Sequence, residues 1–285
     1  MTPVSAFNLA VALSAAAAIA AACVALRLLT AGGALAAFVV GALVFGLGGS
    51  VAVAALLAFF LSSSLLSRLG GRSKAAAAEH NAKPGPRDAA QVVANGGVPV
   101  LLVVLAALTP AGAEPTGREW TVMLLGALAA VNADTWATEI GGALSRRPRL
   151  VTTLRVVPAG TSGAISAAGV AAALCGAAFI ALAGWAAWPR ASLHLLWRPD
   201  PAELLAIAWA GFVAAMADSV LGASLQARYR CGACGRVSEQ ARHCGAPGMR
   251  VGGLRWVTND VVNLIASAIG AFCAWFLVSR FAWPV

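Results

Sequence analysis

Asp134, Glu139, Asp218 and Asp260 are carboxylates set into otherwise apolar stretches of the chain. A charge within hydrocarbon costs about 2.5–3.5 kcal/mol even on the lenient insertion scale, so each needs a cation, a proton or a wet cavity. Around two of them the sequence reads Asn132-Ala133-Asp134-Thr135-Trp136-Ala137-Thr138-Glu139. On a helix Asn132, Thr135 and Glu139 fall at i, i+3 and i+7, and Asp134 and Thr138 at i and i+4, which spreads oxygen donors over a broad arc. Hard oxygens of this kind suit Mg²⁺, which keeps several waters and is shared with substrate phosphates. Hydrogen bonding between helices would also explain the Asn and Thr residues, but it explains the carboxylates less well.

Phosphate-binding chemistry is suggested by other stretches. Arg155-Val156-Val157-Pro158-Ala159-Gly160-Thr161-Ser162-Gly163 leads into an apolar segment. Backbone N–H groups at a Gly-rich helix entrance, with the positive end of the helix dipole, bind phosphate, although a plain capped turn would read the same way. It is not a Walker A loop, since no Gly-Lys-Ser/Thr ending follows. Arg87, Gln91 and Asn95 recur at steps of four on one helical face, and Arg87 could clamp phosphate oxygens. Asp218 with Ser219, Gly222 and Gln226, and Asp260 with Asn259 and Asn263, repeat the pattern of inward polar groups. Polar contacts between helices are again the alternative.

Cys231 and Cys234 form Cys-x₂-Cys, followed after eight residues by His243-Cys244. Three thiolates and an imidazole could bind Zn²⁺ tetrahedrally, and a reducing cytosol disfavours a disulfide. The neighbouring ligands 243 and 244 make an awkward pair, so fewer ligands or a second chain could complete the site. Cys23, Cys175 and Cys273 lie in apolar segments and read as small buried hydrophobes. With three histidines in all, and no Ser-His-Asp order, dinucleotide fingerprint or HExxH, hydrolase and redox chemistry are disfavoured.

Membrane helices must position these residues. Of 285 residues, 60% are hydrophobic and 11% are charged, and the mean hydropathy is +0.82. A soluble domain carries about 25% charged residues, so a water-facing globule, a disordered chain and a secreted disulfide scaffold are all excluded. Eight apolar segments can be drawn: 4–29, 32–49, 51–69, 89–108, 120–144, 163–188, 202–227 and 256–281. The second and third are short and Gly-rich; as a re-entrant pair they would reduce the count to six or seven. The expectation is an all-α polytopic helical bundle forming one transmembrane domain over residues 1–285, with a Cys-rich cytoplasmic loop at about 228–255. The first segment lacks a basic n-region and is longer than an h-region, so it reads as a retained helix.

The formal net charge is +9, and 16 of the 20 basic residues fall in connections of one parity. By the positive-inside rule that side is cytoplasmic and both termini are external. Anionic headgroups, rather than nucleic acid, account for the basic balance. Asp88, Asp134, Glu139, Asp218 and Asp260 then fall at one depth on the same side, five of eleven acids. Convergence of that kind implies a shared, wet cavity.

Taken together, Arg87-Asp88-Ala89-Ala90-Gln91-Val92 with Asn95-Gly96-Gly97, Ala133-Asp134-Thr135-Trp136-Ala137-Thr138-Glu139-Ile140-Gly141, Pro158-Ala159-Gly160-Thr161-Ser162-Gly163, Asp218-Ser219-Val220-Leu221-Gly222-Ala223 with Gln226, and Asn259-Asp260-Val261-Val262-Asn263 resemble a known family. It is the membrane family formerly called domain of unknown function 92, which includes transmembrane protein 19 and the plant phytyl-phosphate kinase of vitamin E synthesis. The resemblance implies transfer of a phosphoryl group from a nucleoside triphosphate to an isoprenoid lipid monophosphate. On that basis Asp134, Glu139, Asp218 and Asp260 would hold Mg²⁺, while Arg87, Gln91, Asn95, Arg155, Gly160, Thr161, Ser162, Gly163 and Asn263 would contact phosphates or nucleotide. The apolar helices would admit the isoprenoid tail. A lipid-phosphate cytidylyltransferase would use the same parts, and a transporter of a small anionic solute would also want intramembrane acids and broken Gly-rich helices.

Overall fold

The structure is a computed structural model that describes residues 6–69, 85–110, 112–145, 147–187 and 200–281. Eight helices run through these residues: α1 Ala6–Ala25, α2 Ala31–Leu47, α3 Gly49–Leu69, α4 Ala89–Leu108, α5 Gly117–Leu144, α6 Ala167–Ala186, α7 Pro201–Ser224 and α8 Asn259–Phe281. Apolar runs become helices here because every backbone polar group within a bilayer must be satisfied inside its own segment. The polar residues between runs close the orphaned first turns. Thr30 caps α2 and Ser166 caps α6, while capping boxes start α4 (Asp88 with Gln91), α5 (Thr116 with Glu119) and α7 (Asp200 with Glu203).

By length and composition, α1, α3, α4, α6, α7 and α8 can each cross a membrane, and α2 is a shorter apolar helix of 17 residues. The chain turns from α2 into α3 at Gly48 and Gly49. At 28 residues α5 is the longest helix, about 42 Å at 1.5 Å per residue. Its polar half lowers its hydropathy, and α3, α4, α6, α7 and α8 all pack on α5. Leu125 and Leu128 of α5, Ile180 of α6 and Ile207 of α7 are fully buried at this centre. The α5 and α8 backbones approach where Gly126 faces Gly270: a Cβ on Gly126 would stand 2.4 Å from the Gly270 carbonyl oxygen. Small residues at such crossings replace the hydrophobic drive that lipid removes.

The connections α1–α2, α3–α4, α5–α6 and α7–α8 lie at one end. Thr30 N donates to Arg87 O at 3.0 Å and Arg87 N to Leu28 O at 3.0 Å, tying the first two connections together. Of the bases expected at this end, Arg72, Lys74, Lys83 and Arg146 lie outside the described residues. At the opposite end Arg118 of α5 pairs with Glu203 of α7.

Two connections carry strands that the helical expectation did not include. In α5–α6, β1 (Arg149–Leu150) pairs antiparallel with β2 (Ala164–Ile165), Arg149 opposite Ile165. The Cys-rich stretch folds as a four-stranded antiparallel sheet in the order β4-β3-β6-β5, built from β3 (Arg228–Cys231), β4 (Val237–Ser238), β5 (Arg242–His243) and β6 (Ala246–Gly252). Tyr229 stands opposite Ser238 and Arg250, and His243 opposite Ala246. These strands are too short and too charged to register as apolar segments, so only their cysteines stand out in the sequence.

Candidate functional site

A cavity of about 1000 Å³ opens where the connections α3–α4, α5–α6 and α7–α8 meet. Asp134 and Glu139 reach it from α5, Asp218 from α7 and Asp260 from the first turn of α8. Arg87, Gln91 and Asn95 line it from the start of α4, and Gly160, Thr161, Ser162 and Gly163 from the connection before α6. Arg155 is exposed and Asn263 half-buried, and neither is part of this lining. The Asn263 Oδ1 is buried on α8 without a hydrogen-bond partner among the described residues.

The two faces of α5 divide the polar residues between them. Asp134, Thr135, Thr138 and Glu139 turn to the cavity. Asn132 instead joins helices: its Nδ2 donates to Gly176 O at 2.7 Å, and Ser62 Oγ donates to its Oδ1 at 3.0 Å. Trp136 Nε1 donates to the same Ser62 hydroxyl at 3.2 Å. Asn132 therefore leaves the oxygen arc expected from spacing. Asp88, expected at the depth of the other acids, spends its carboxylate on the α4 cap, where Oδ1 accepts from Gln91 N at 2.9 Å.

The acids fall into two groups. Asp134 and Asp218 lie within electrostatic reach of each other and of Glu239. Asp218 Oδ2 is buried and has no hydrogen-bond partner among the described residues. Glu139 stands apart, accepting from Ser67 Oγ at 2.5 Å and acting on the Arg87 guanidinium. Burial lowers the Arg87 pKa below its ordinary value, and the charge of Glu139 opposes that shift. Arg87 Nη1 also donates to Ser63 Oγ at 3.2 Å.

The Gly-rich connection is held against α7. Gly163 has φ +72°, and a Cβ there would stand 2.4 Å from Ser219 O and 2.5 Å from Ala223 N. The following helix starts later than the sequence suggests, because β2 intervenes and α6 begins at Ala167. The helix entrance at the cavity is thus Ser166 to Gly169, with Ser166 Oγ accepting from Gly169 N at 3.1 Å.

The profile of the family described as "Integral membrane protein DUF92" matches residues 14–271. This chain is a DUF92 integral membrane protein. It is 30% identical over 238 residues to "Protein PGR" of Arabidopsis thaliana, covering 77% of this chain and 78% of that one. An uncharacterized membrane protein of Methanocaldococcus jannaschii is 33% identical over 169 residues, 59% of this chain and 62% of the other. "Protein VTE6, chloroplastic" of Arabidopsis thaliana is 25% identical over 246 residues, 86% of this chain and 64% of the relative. No solved structure matches.

Spacing alone missed three charged residues of the DUF92 cavity: Glu239, Arg242 and Arg255. Glu239 comes from the Cys-rich connection, and its Oε1 accepts a hydrogen bond from Ser162 Oγ. The available signal was its place between Cys234 and His243, an acid framed by residues able to bind a soft metal. Cys231, Cys234, His243 and Cys244 themselves converge, with ligand atoms all within 4.8 Å of one another. Among the described residues no comparably compact group of three or more acids exists.

A second cavity of about 80 Å³ lies between α1, α2, α3 and α4 of the DUF92 bundle, lined by Ala20, Val40, Phe45, Leu56 and Phe60 among others. Arg87, Gln91 and Asn95 line this apolar cavity as well as the polar one.

Proposed function

We propose that this DUF92 protein is a membrane-embedded, Mg²⁺-dependent phosphotransferase that moves a phosphoryl group from a nucleoside triphosphate to an isoprenoid lipid monophosphate. The observation that carries this is the shared wall: Arg87, Gln91 and Asn95 separate a small apolar cavity from a large one lined by acids and bases. A ligand that satisfies both sides at once has an apolar tail and an anionic head. The resemblance to the family of the plant phytyl-phosphate kinase supports the same substrate class.

The donor set fits Mg²⁺. It consists of hard oxygens, and Asp218 Oδ2 is buried with no hydrogen bond to lose. Because Mg²⁺ ordinarily takes one or two carboxylates and completes its shell with water and phosphate oxygens, the looseness of the acid group is expected. Asp134, Asp218 and Glu239 would hold the ion, with Glu139 and Asp260 at the margins of the same cavity. When bound, Mg²⁺ would neutralise charge developing on the transferred group.

The chain's own groups meet a different difficulty. A lipid monophosphate is largely a dianion at neutral pH, since its second pKa is near 6. No base is needed to activate it; two anions must instead be brought together. Arg87 faces the head of the lipid at the junction of the cavities, while Arg242 and Arg255 face the polar space where the triphosphate fits. An oxygen of the lipid phosphate attacks the γ-phosphorus, the bond from that phosphorus to the β,γ-bridging oxygen breaks, and the nucleoside diphosphate leaves. Gln91 Oε1 is occupied by the Asp88 N–H at 3.0 Å, which leaves its amide N–H₂ to donate to a phosphate oxygen.

The test is purified protein in bilayer discs with Mg²⁺, a panel of isoprenyl monophosphates and each nucleoside triphosphate, scored by product mass. Isoprenyl diphosphate and nucleoside diphosphate are expected. Asp134→Asn is expected to lower turnover at least a hundredfold with membrane expression unchanged, and normal turnover in that variant rejects the proposal. Release of pyrophosphate with a CDP-lipid would mark cytidylyl transfer instead, and solute uptake without nucleotide turnover would mark a transporter.

A further inference from the structure

The Cys-rich sheet contains a ligand group that the proposed chemistry does not use. Cys234 Sγ lies 3.4 Å and Cys244 Sγ 3.2 Å from His243 Nδ1, and Cys231 Sγ completes the cluster. A tetrahedral ion with metal–sulfur bonds of ~2.3 Å sets its ligands about 3.8 Å apart, so the group has the right size. Two tight turns supply it. After β3, Gly235 N donates to Cys231 O at 2.9 Å, folding Cys231 and Cys234 towards each other. After β5, Cys244 adopts φ +54°, a left-handed conformation uncommon for any residue but glycine. In extended backbone neighbouring side chains point to opposite faces. The left-handed turn instead lets His243 and Cys244 aim at one point, which resolves their awkward adjacency. All four cysteine and histidine side chains lie at a sheet built outside the helices, and the three cysteines are free thiols.

The stretch between the two turns forms one wall of the polar cavity. Glu239, Gln240, Ala241 and Arg242 all line it, directly before His243. Glu239 reaches Ser162 of the Gly-rich connection and lies within the electrostatic reach of Asp134 and Asp218.

We propose that Cys231, Cys234, His243 and Cys244 bind one structural Zn²⁺, and that this ion holds the Glu239–Arg242 wall against the cavity, so that Glu239 joins Asp134 and Asp218 as a divalent-ion ligand. Three thiolates and one imidazole with no open position are the ligand set of a structural rather than a catalytic zinc. The four cysteine and histidine residues are positioning residues in this scheme. The second half rests on the acidic cavity taking a divalent ion; the zinc itself does not.

The test uses the full chain, purified without added metal, and two readouts that need no substrate. Elemental analysis is expected to find about one zinc per chain in wild type and in Glu239→Gln, and none in Cys231→Ser. The variant His243→Cys, which replaces the imidazole with a fourth thiolate, is expected to retain zinc. A negligible zinc content in wild type, or equal zinc in wild type and Cys231→Ser, overturns the site. Mn²⁺ titrated by electron spin resonance then reads the acidic cavity. Glu239→Gln, with its zinc intact, and Cys231→Ser are both expected to bind Mn²⁺ about tenfold more weakly, while His243→Cys binds as wild type does. Wild-type Mn²⁺ affinity in Glu239→Gln or in zinc-free Cys231→Ser overturns the positioning role. Because neither readout involves phosphoryl transfer, a failure of the kinase assay leaves both results standing.

Discussion

Carboxylates of similar chemistry meet three fates in this molecule. Asp88 is consumed by a helix cap, Glu139 is held by Ser67 beside Arg87, and Asp218 presents a buried oxygen with no hydrogen bond among the described residues. A buried carboxylate without a partner contributes little to folding, so Asp218→Asn tests function almost cleanly. Without Mg²⁺, its thermal midpoint is expected to equal or exceed that of wild type. Added Mg²⁺ should raise the midpoint of wild type, as any ligand of the native state does, but not that of the variant. Turnover should fall at least a hundredfold. A midpoint several degrees lower with the Mg²⁺ response intact would assign Asp218 to structure instead. Asp134 and Asp218 were legible in the sequence because an acid in an apolar run is costly wherever it occurs. Glu239 was not, since an acid in a charged connection has no such signature. Arg155 was overread for the complementary reason: bases in one connection look alike until their side chains are placed, and Arg242 and Arg255 rather than Arg155 face the cavity.

At the level of elements, α5 is both the structural centre and a carrier of the candidate site, and its two polar faces point to different surroundings. The Asn132–Ser62–Trp136 network with the Gly176 carbonyl fixes α5 against α3 and α6. Hydrogen bonds between membrane helices contribute about 0.6 kcal/mol on average and up to about 1.7. Asn132→Ala is therefore expected to cost about 1 kcal/mol in reversible unfolding from mixed micelles, while turnover stays within a few-fold of wild type. A hundredfold loss of turnover at unchanged stability would move Asn132 into the site. The helices were legible because an apolar run in a membrane has no other way to satisfy its backbone. Helical spacing could not tell which arc of α5 faces a cavity and which faces a neighbour, because both carry Asn or Thr. The start of α6 was misjudged because Gly160 to Gly163 resembles a helix entrance, whereas the short β1–β2 pairing delays the helix to Ala167.

Across the whole molecule, the division between an apolar and a polar cavity at Arg87, Gln91 and Asn95 would, on the proposed function, set what kind of substrate discrimination is possible. The apolar cavity holds about 80 Å³. On the proposed function, the carbons next to the phosphate would occupy this cavity, and the rest of a long isoprenoid would lie in the bilayer. Such a pocket would read the presence of an apolar stem rather than its length. Ala20 sits in the pocket wall, and Ala20→Leu adds three carbons to this small apolar cavity. The expected result is a fall of at least tenfold in kcat/KM for every isoprenyl monophosphate, short or long, with the KM for the nucleoside triphosphate unchanged. Measured across a chain-length series, a loss confined to long chains would mean that the tail is enclosed elsewhere. An unchanged kcat/KM throughout would remove this cavity from the substrate path and leave Arg87 as a group of the polar cavity alone.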